Sequence, residues 1–335
     1  MSFLEYDFLV RALVAALFTG LAAPAVGTYL VQRRLSLMGD GIGHIAVTGV
    51  ALGLLTGTSP TVTAVVVAII GAVVIEVIRE QGRTSGDVAL ALLFYGGIAG
   101  GVMLIGLAGQ GANTLQTYLF GSILAIDSGD VWVTVVLAAV VVVVAVGLSP
   151  QLFAVAQDAE FARVAGLNVR FYNILVAVMA AVTVTVAMRT VGLLLVSALM
   201  VVPVATAQQV TRGFRTTLLL AMGLGTLAST GGLVTAAYVP NIPPGSTIVL
   251  LALAGFMAAW PLGVWLRRRQ RLAAPFVATA EDDLALAADH TVVPESHAHE
   301  HGEDCGHAAV PHGDHVDYVH DGHRHAPHGS HYDEH

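Results

Sequence analysis

Between Phe8 and Leu266 the chain reads as a succession of apolar runs, most of them close to the ~20 residues a helix needs to cross about 30 Å of hydrocarbon. The turns between the runs hold almost all of the arginines. Lipid offers no hydrogen-bond partner to an exposed peptide group, so runs of this kind fold as helices. A soluble globule is excluded here: 56% of the 335 residues are hydrophobic and 11% charged, against about a quarter charged in soluble domains. The expected fold is all-α and polytopic.

The positive-inside rule orients the runs. Phe8 to Val31 ends at Arg33 and Arg34, which puts that pair in the cytoplasm and the N-terminus outside. Leu35 to Gly57 leads to the uncharged turn Thr58-Ser59-Pro60, and Thr61 to Ile78 returns to Arg79 and Arg83. Val88 to Ala108 and Val131 to Leu148 form the next pair. Between them, Leu115 to Ile126 is too short to span and is expected as a re-entrant or outer-surface helix. Phe171 to Ala187, Val191 to Val210, Thr217 to Tyr238 and Ile248 to Leu266 follow, the last closed by Arg267, Arg268, Arg269 and Arg271. The count is about nine spans (eight to nine) in the cell (inner) membrane, with only Arg189 against the trend. Glu5 and Asp7 occupy the place of a basic n-region, so signal cleavage is not expected. Gly49, Gly53 and Gly57, four residues apart, suit close helix packing in lipid.

Composition changes at about residue 272. Residues 1–271 hold 14 arginines against 10 acids, a charge of +4; residues 272–335 hold one arginine against 13 acids, a charge of −12. The tail also carries 13 of the 14 histidines. Two domains are expected, a transmembrane permease domain over 1–271 and a cytosolic tail over 272–335. The tail has too few apolar residues for a core and is expected to be disordered without metal. The chain contains no lysine, which removes a Schiff base and a P-loop lysine. Cys305 is the single cysteine, so neither a disulfide framework nor a CxxC knuckle exists. No HExxH is present, which excludes a zincin-type intramembrane protease. Transport rather than enzymatic chemistry is expected, with no nucleic-acid partner.

In LMGDGIGHIAVTGVALG, Asp40 and His44 lie four residues apart on one helical face, and Thr48 follows one turn on. Counted from Arg34 at the helical rise, Asp40 lies ~9 Å and His44 ~15 Å into the membrane. A carboxylate at hydrocarbon depth costs about 2.5–3.5 kcal/mol, so it needs a reason. One reason is an interhelical hydrogen bond. The other is a transport pathway in which carboxylate and imidazole meet Zn²⁺ or Mn²⁺, with Thr48 behind them. Two donors are half of a four-coordinate site, and a homodimer with this helix at its axis supplies the rest. Pro203, within LMVVPVATA, is expected to interrupt its helix as a packing kink or hinge. QLFAVAQDAEFARVAGLNVRF is a polar connector with a short helical pattern closed by Gly166, a candidate docking element for a cytosolic partner.

LSLMGDGIGHIAVTGVALG, QDAEFARVAGLNV, VGLLLVSALMVVPVATA and YVPNIPPGSTIVLLALAGF, in order over about residues 8–266, resemble the permeases of ATP-binding-cassette importers for zinc, manganese and chelated iron. The resemblance implies the permease fold of that family, a homodimer, two cytosolic ATPase subunits and an extracytoplasmic metal-binding protein. It implies that Asp40 and His44 meet the metal, and that Gln157 to Gly166 grips the ATPase through Asp158, Glu160 and Gly166. Metal is then substrate, zinc first and manganese or iron second, with no resident cofactor.

The tail departs from the family, whose permeases often stop after the last span. His297, His299, His301, His320, His323, His325, His328 and His331, interleaved with acids, are candidate ligands for zinc in a buffering or sensing segment. A proton-driven zinc exporter uses an Asp/His tetrad from two helices of one chain, but here His44 is the only histidine of the membrane domain. A metal sensor without transport needs only an anchor, and nine spans exceed one.

Overall fold

The computed structural model describes residues 7–80, 86–109, 118–119, 121, 128–190, 192–239, 242–273, 291–293, 305–312, 315–320, 323–328 and 331–334. The chain divides into two units, Met1–Leu262 and Gly263–His335. The membrane-domain helices are α1 (Asp7–Gln32), α2 (Met38–Thr56), α3 (Pro60–Glu80), α4 (Gly86–Leu107), α5 (Ser128–Gly147), α6 (Ser149–Gln157), α7 (Ala159–Val164), α8 (Val169–Thr190), α9 (Leu193–Val210), α10 (Phe214–Tyr238) and α11 (Pro244–Ala273). Among the described residues seven helices are long and apolar enough to span, and an eighth span forms if α5 and α6, bent by 70°, count as one. The shorter apolar helix α9 accounts for the ninth expected run. Most of Leu115 to Ile126 lies outside the described residues.

Local chemistry sets the boundaries. Gly57 closes α2 in the left-handed conformation at φ 72°, its N–H bonded to the Gly53 carbonyl. Pro60 then opens α3, where its missing N–H costs nothing. The bend between α5 and α6 falls where Pro150 removes a helical donor. The Tyr29 hydroxyl, buried on α1, donates to the Ala145 carbonyl beside that bend. Pro203 sits inside α9, which continues on both sides of it.

Helix α1 is the hub, packing against α5, α8, α9 and α10. Its buried face from Ala22 to Leu30 is mostly small, which allows backbones to approach, and the Ser229 hydroxyl of α10 donates to the Ala16 carbonyl of α1 at 2.8 Å. Side chains such as Leu92, Val102, Met103, Val136 and Val143 face outward on α4 and α5, as lipid-facing positions do. The far end of α1 is fastened to α3 by a buried ionic cluster. Glu76 Oε1 accepts from Arg33 at 2.9 Å and from Arg79 at 2.8 Å, and the Glu76 side chain is 2% exposed. Two cations share one carboxylate out of water, so each depends on that carboxylate.

The tail, expected to be disordered without metal, carries short strands over its described residues. It forms a five-stranded antiparallel sheet ordered β1 (Thr291–Val293), β5 (His331–Glu334), β4 (His323–His328), β3 (His315–His320) and β2 (Ala308–His312). The sequence shows an eight-residue period in which the dipeptides Gly313-Asp314, Asp321-Gly322 and Gly329-Ser330 separate segments of strand length. Composition alone concealed this pattern.

Candidate functional site

Asp40 and His44 lie one turn apart on α2 with Oδ1 and Nε2 4.0 Å from each other. The imidazole is largely buried and the carboxylate partly open. Helix α4 supplies the wall. The Phe94 ring meets the His44 ring edge to face at 4.5 Å, which fixes the imidazole's plane. Leu37, Asp40, Leu90, Ala91, Phe94 and Tyr95 line a half-open pocket of about 360 Å³, with Asp40 its one carboxylate. The apolar wall leaves that carboxylate as the feature able to hold a cation.

Thr48 has a different task from the one its spacing implied. Its hydroxyl donates to the Gly97 carbonyl of α4 at 2.8 Å and lies 3.4 Å from the His44 carbonyl, so its bonds go to the backbone of the two helices rather than to the imidazole. Gly97 is the complementary requirement: a Cβ there would stand 2.6 Å from the backbone carbon of His44. Gly97→Ala must therefore push α4 and Phe94 away from the site, an overpacking that costs about 1–3 kcal/mol. We expect transport to fall at least about tenfold in Gly97→Ala with protein yield nearly kept, while Gly96→Ala, whose Cβ meets open space, behaves as wild type. Uptake assays on matched amounts of the two variants check this.

The connector folds as expected around α7. Asp158 caps it, one carboxylate oxygen accepting from the Glu160 and Phe161 N–H groups at 2.9 Å each. At the other end the Gly166 N–H bonds the Arg163 carbonyl and the Leu167 N–H the Ala162 carbonyl, a Schellman closure that needs Gly166 at φ 84°. Asp158 and Gly166 thus shape the turn, and Glu160 is exposed on it. Phe161 and Val164, 67% and 88% exposed, are apolar side chains presented on the same turn, which sequence reading missed. Gln32 of α1 hydrogen-bonds Gln157, joining the turn to the hub helix.

Among the described residues no three of His, Cys, Asp and Glu converge in a way that could hold a metal ion. Asp40 and His44 are brought together as half a site. Of the tail candidates, His297, His299 and His301 lie outside the described residues, while His320, His323, His325, His328 and His331 fall on β3, β4 and β5.

The model of the ABC 3 transport family matches residues 5–262. The chain belongs to that family. The chain is similar to the manganese import system permease protein ScaB of Streptococcus parasanguinis, 34% identical over 76% of this chain and 91% of that protein. The manganese transport system membrane protein MntC of Listeria innocua is 30% identical over 77% and 91%. A solved structure, PsaBC from Streptococcus pneumoniae in complex with Fab, superposes with a TM-score of 0.71 at 31% identity, covering 79% of this chain and 96% of that one. An inward-facing putative metal-chelate type ABC transporter, 16% identical with a TM-score of 0.56, shares the fold. The chain is thus a multi-pass permease subunit of the ATP-binding-cassette type, a transport component rather than an enzyme. The family match ends at residue 262, so it does not extend to the tail sheet.

Proposed function

We propose that this chain is the membrane subunit of an ATP-driven importer of a divalent transition metal, with manganese at least as well supported as zinc. The observation that carries the reading is the pair Asp40 and His44, one turn apart on α2 with Asp40 on a mostly apolar pocket, two donors of a set that another copy would complete. Two copies with α2 at the shared axis would offer two carboxylates and two imidazoles, an oxygen and nitrogen set that both metals accept. The manganese named for ScaB and MntC shifts the balance from zinc, the first choice on the sequence. Zinc remains the second reading because of the histidine-rich tail. Family membership leaves the proton-driven exporter and the non-transporting sensor without support.

In this reading a cytosolic ATPase binds the exposed face of α7, through Glu160, Phe161 and Val164. An extracytoplasmic binding protein delivers metal at the opposite membrane face. The N-terminus lies outside and the tail in the cytosol, as the arginine-bearing turns require. ATP binding and hydrolysis open the pathway to each side in turn. The test is uptake of radiolabelled manganese and zinc into proteoliposomes holding this chain, its ATPase and its binding protein. ATP-dependent manganese uptake is expected; uptake of zinc alone would move the cargo to the second reading, and no ATP-dependent uptake of either metal would overturn the proposal.

A further inference from the structure

The last turn of α1 carries three fastenings at once. Tyr29 reaches the bend between α5 and α6, Gln32 the docking turn, and Arg33 the Glu76 carboxylate of α3. The bend is where a fastening is needed: the last four carbonyls of a helix have no donor within it, and Pro150 brings no N–H to the turn that follows. At this end of α5 the Leu148 N–H takes the Val144 carbonyl, and the Tyr29 hydroxyl donates to the Ala145 carbonyl at 2.5 Å. The Ser149 side chain, first in α6, interacts with the same oxygen, which therefore meets both sides of the bend. Tyr29 and Ala145 are both fully buried, so bulk water cannot stand in for that donor. Beyond the bend, α6 is one packed piece with α7. Asp158 ends α6, its N–H on the Ala154 carbonyl, and the same residue caps α7. Val155 of α6, Ala162 of α7 and Val169 of α8 form a small buried core of their own. Phe153 of α6 packs on Phe214 at the start of α10, ring centroids 4.4 Å apart, and Phe214 meets the Tyr29 ring at 5.4 Å. From the same turn of α1 a short connector, Arg33 to Leu37, leads to α2 and to Asp40.

We propose that Tyr29 is the pin of an elbow: its bond to Ala145 holds the 70° bend, so that a displacement of α7 is carried through α6 to the last turn of α1 and from there to the helix that bears Asp40 and His44. Tyr29 is a positioning residue in this scheme, part of neither the metal pair nor the docking face. What the elbow transmits rests on the import reading, whereas the pin itself is a property of this chain alone. Tyrosine suits the task because it joins a rigid ring, here packed on Phe214, to a single polar atom. Without the hydroxyl the Ala145 carbonyl stays buried with that bond unmade, and the bend gains freedom.

The test is Tyr29→Phe, which removes one oxygen and keeps the ring. Ser229→Ala is the control, since it deletes another buried hydroxyl bond to α1, that to the Ala16 carbonyl, about 20 Å along the helix from Tyr29. Hydrogen exchange is followed first, in full-length protein in detergent with no ATPase present. Tyr29→Phe should raise exchange of the α6 amides at least about tenfold, and Ser229→Ala should leave them within about twofold of wild type. Unchanged α6 exchange in Tyr29→Phe would overturn the pin. The second readout is metal taken up per ATP hydrolysed in proteoliposomes of the whole complex. Tyr29→Phe should hydrolyse ATP within about twofold of wild type yet lower that ratio at least about fivefold, while Ser229→Ala keeps it. Phe153→Leu, which removes the ring packing on Phe214 but keeps a large apolar side chain, should lower the ratio in the same direction. A loosened α6 with an unchanged ratio, or an equal fall in Ser229→Ala, would overturn the transmission. If the wild type moved no metal, the import reading and the transmission would fall together, and the exchange result would still decide the pin.

Discussion

His44→Ala and Asp40→Asn are each expected to abolish ATP-driven metal uptake while leaving the permease able to assemble with its ATPase. In the proposed two-copy site one substitution would remove two of four donors, and a four-coordinate ion that loses half its ligands has no site to occupy. We expect a fall in uptake of at least about 100-fold, larger than loss of an orienting contact produces. The fold should survive, since Asp40 is partly open and the imidazole's neighbour, Phe94, is on an apolar wall. Thr48→Val separates positioning from ligation: losing the bond to the Gly97 carbonyl costs about 1 kcal/mol and should reduce uptake severalfold without ending it. Acidification should act in the direction of the alanine variant, because protons compete with the metal for the imidazole nitrogen. Uptake of His44→Ala within a fewfold of wild type, with size-exclusion profiles unchanged, would put the pathway elsewhere.

Glu76→Gln has the largest expected effect on stability. The carboxylate is buried and serves Arg33 and Arg79 together, so its neutralisation leaves two guanidinium groups facing each other out of water. Breaking a buried pair in this way costs about 3–5 kcal/mol. That corresponds to a fall of about 10 °C in the unfolding midpoint of the detergent-solubilised protein. Glu80→Gln is the matched control. Its partner Arg170 is 3.3 Å away, but both side chains are substantially exposed, so about 0–1 kcal/mol is expected. Equal midpoints for the two variants would mean that the cluster contributes no more than a surface pair.

The spans were legible because lipid enforces a single rule on them. The run Val88 to Ala108 became α4 from Gly86 to Leu107, and Leu35 to Gly57 became α2 from Met38 to Thr56. The facing of Asp40 and His44 followed from helical spacing alone. Phe94 could not be found that way, since an aromatic residue in an apolar run carries no mark of what it touches. Arg33 was read as a topological signal, and its burial against Glu76 depends on a helix 43 residues away. The stretch after Pro150 read as polar because glutamines and acids dominate its end, yet Leu152 and Val155 of α6 are buried. In the tail, histidine content drew attention from the glycine-bearing dipeptides that recur every eight residues.

The fit between α2 and α4 constrains how the permease moves. With the Gly97 backbone against His44 and the Thr48 hydroxyl bonded across the seam, sliding one helix along the other by even a fraction of a turn would drive backbone into backbone. The pair is therefore one stiff plank. Domain motions of the hinge and shear kinds keep such units intact and displace them as wholes. In the proposed importer, a plank that carries a carboxylate and an imidazole at fixed separation would present the same half-cage to its cargo throughout the cycle. In the proposed two-copy importer, what alternates would be the angle between two such planks, and the metal would be released by parting its ligands into two intact pairs rather than by distorting either one.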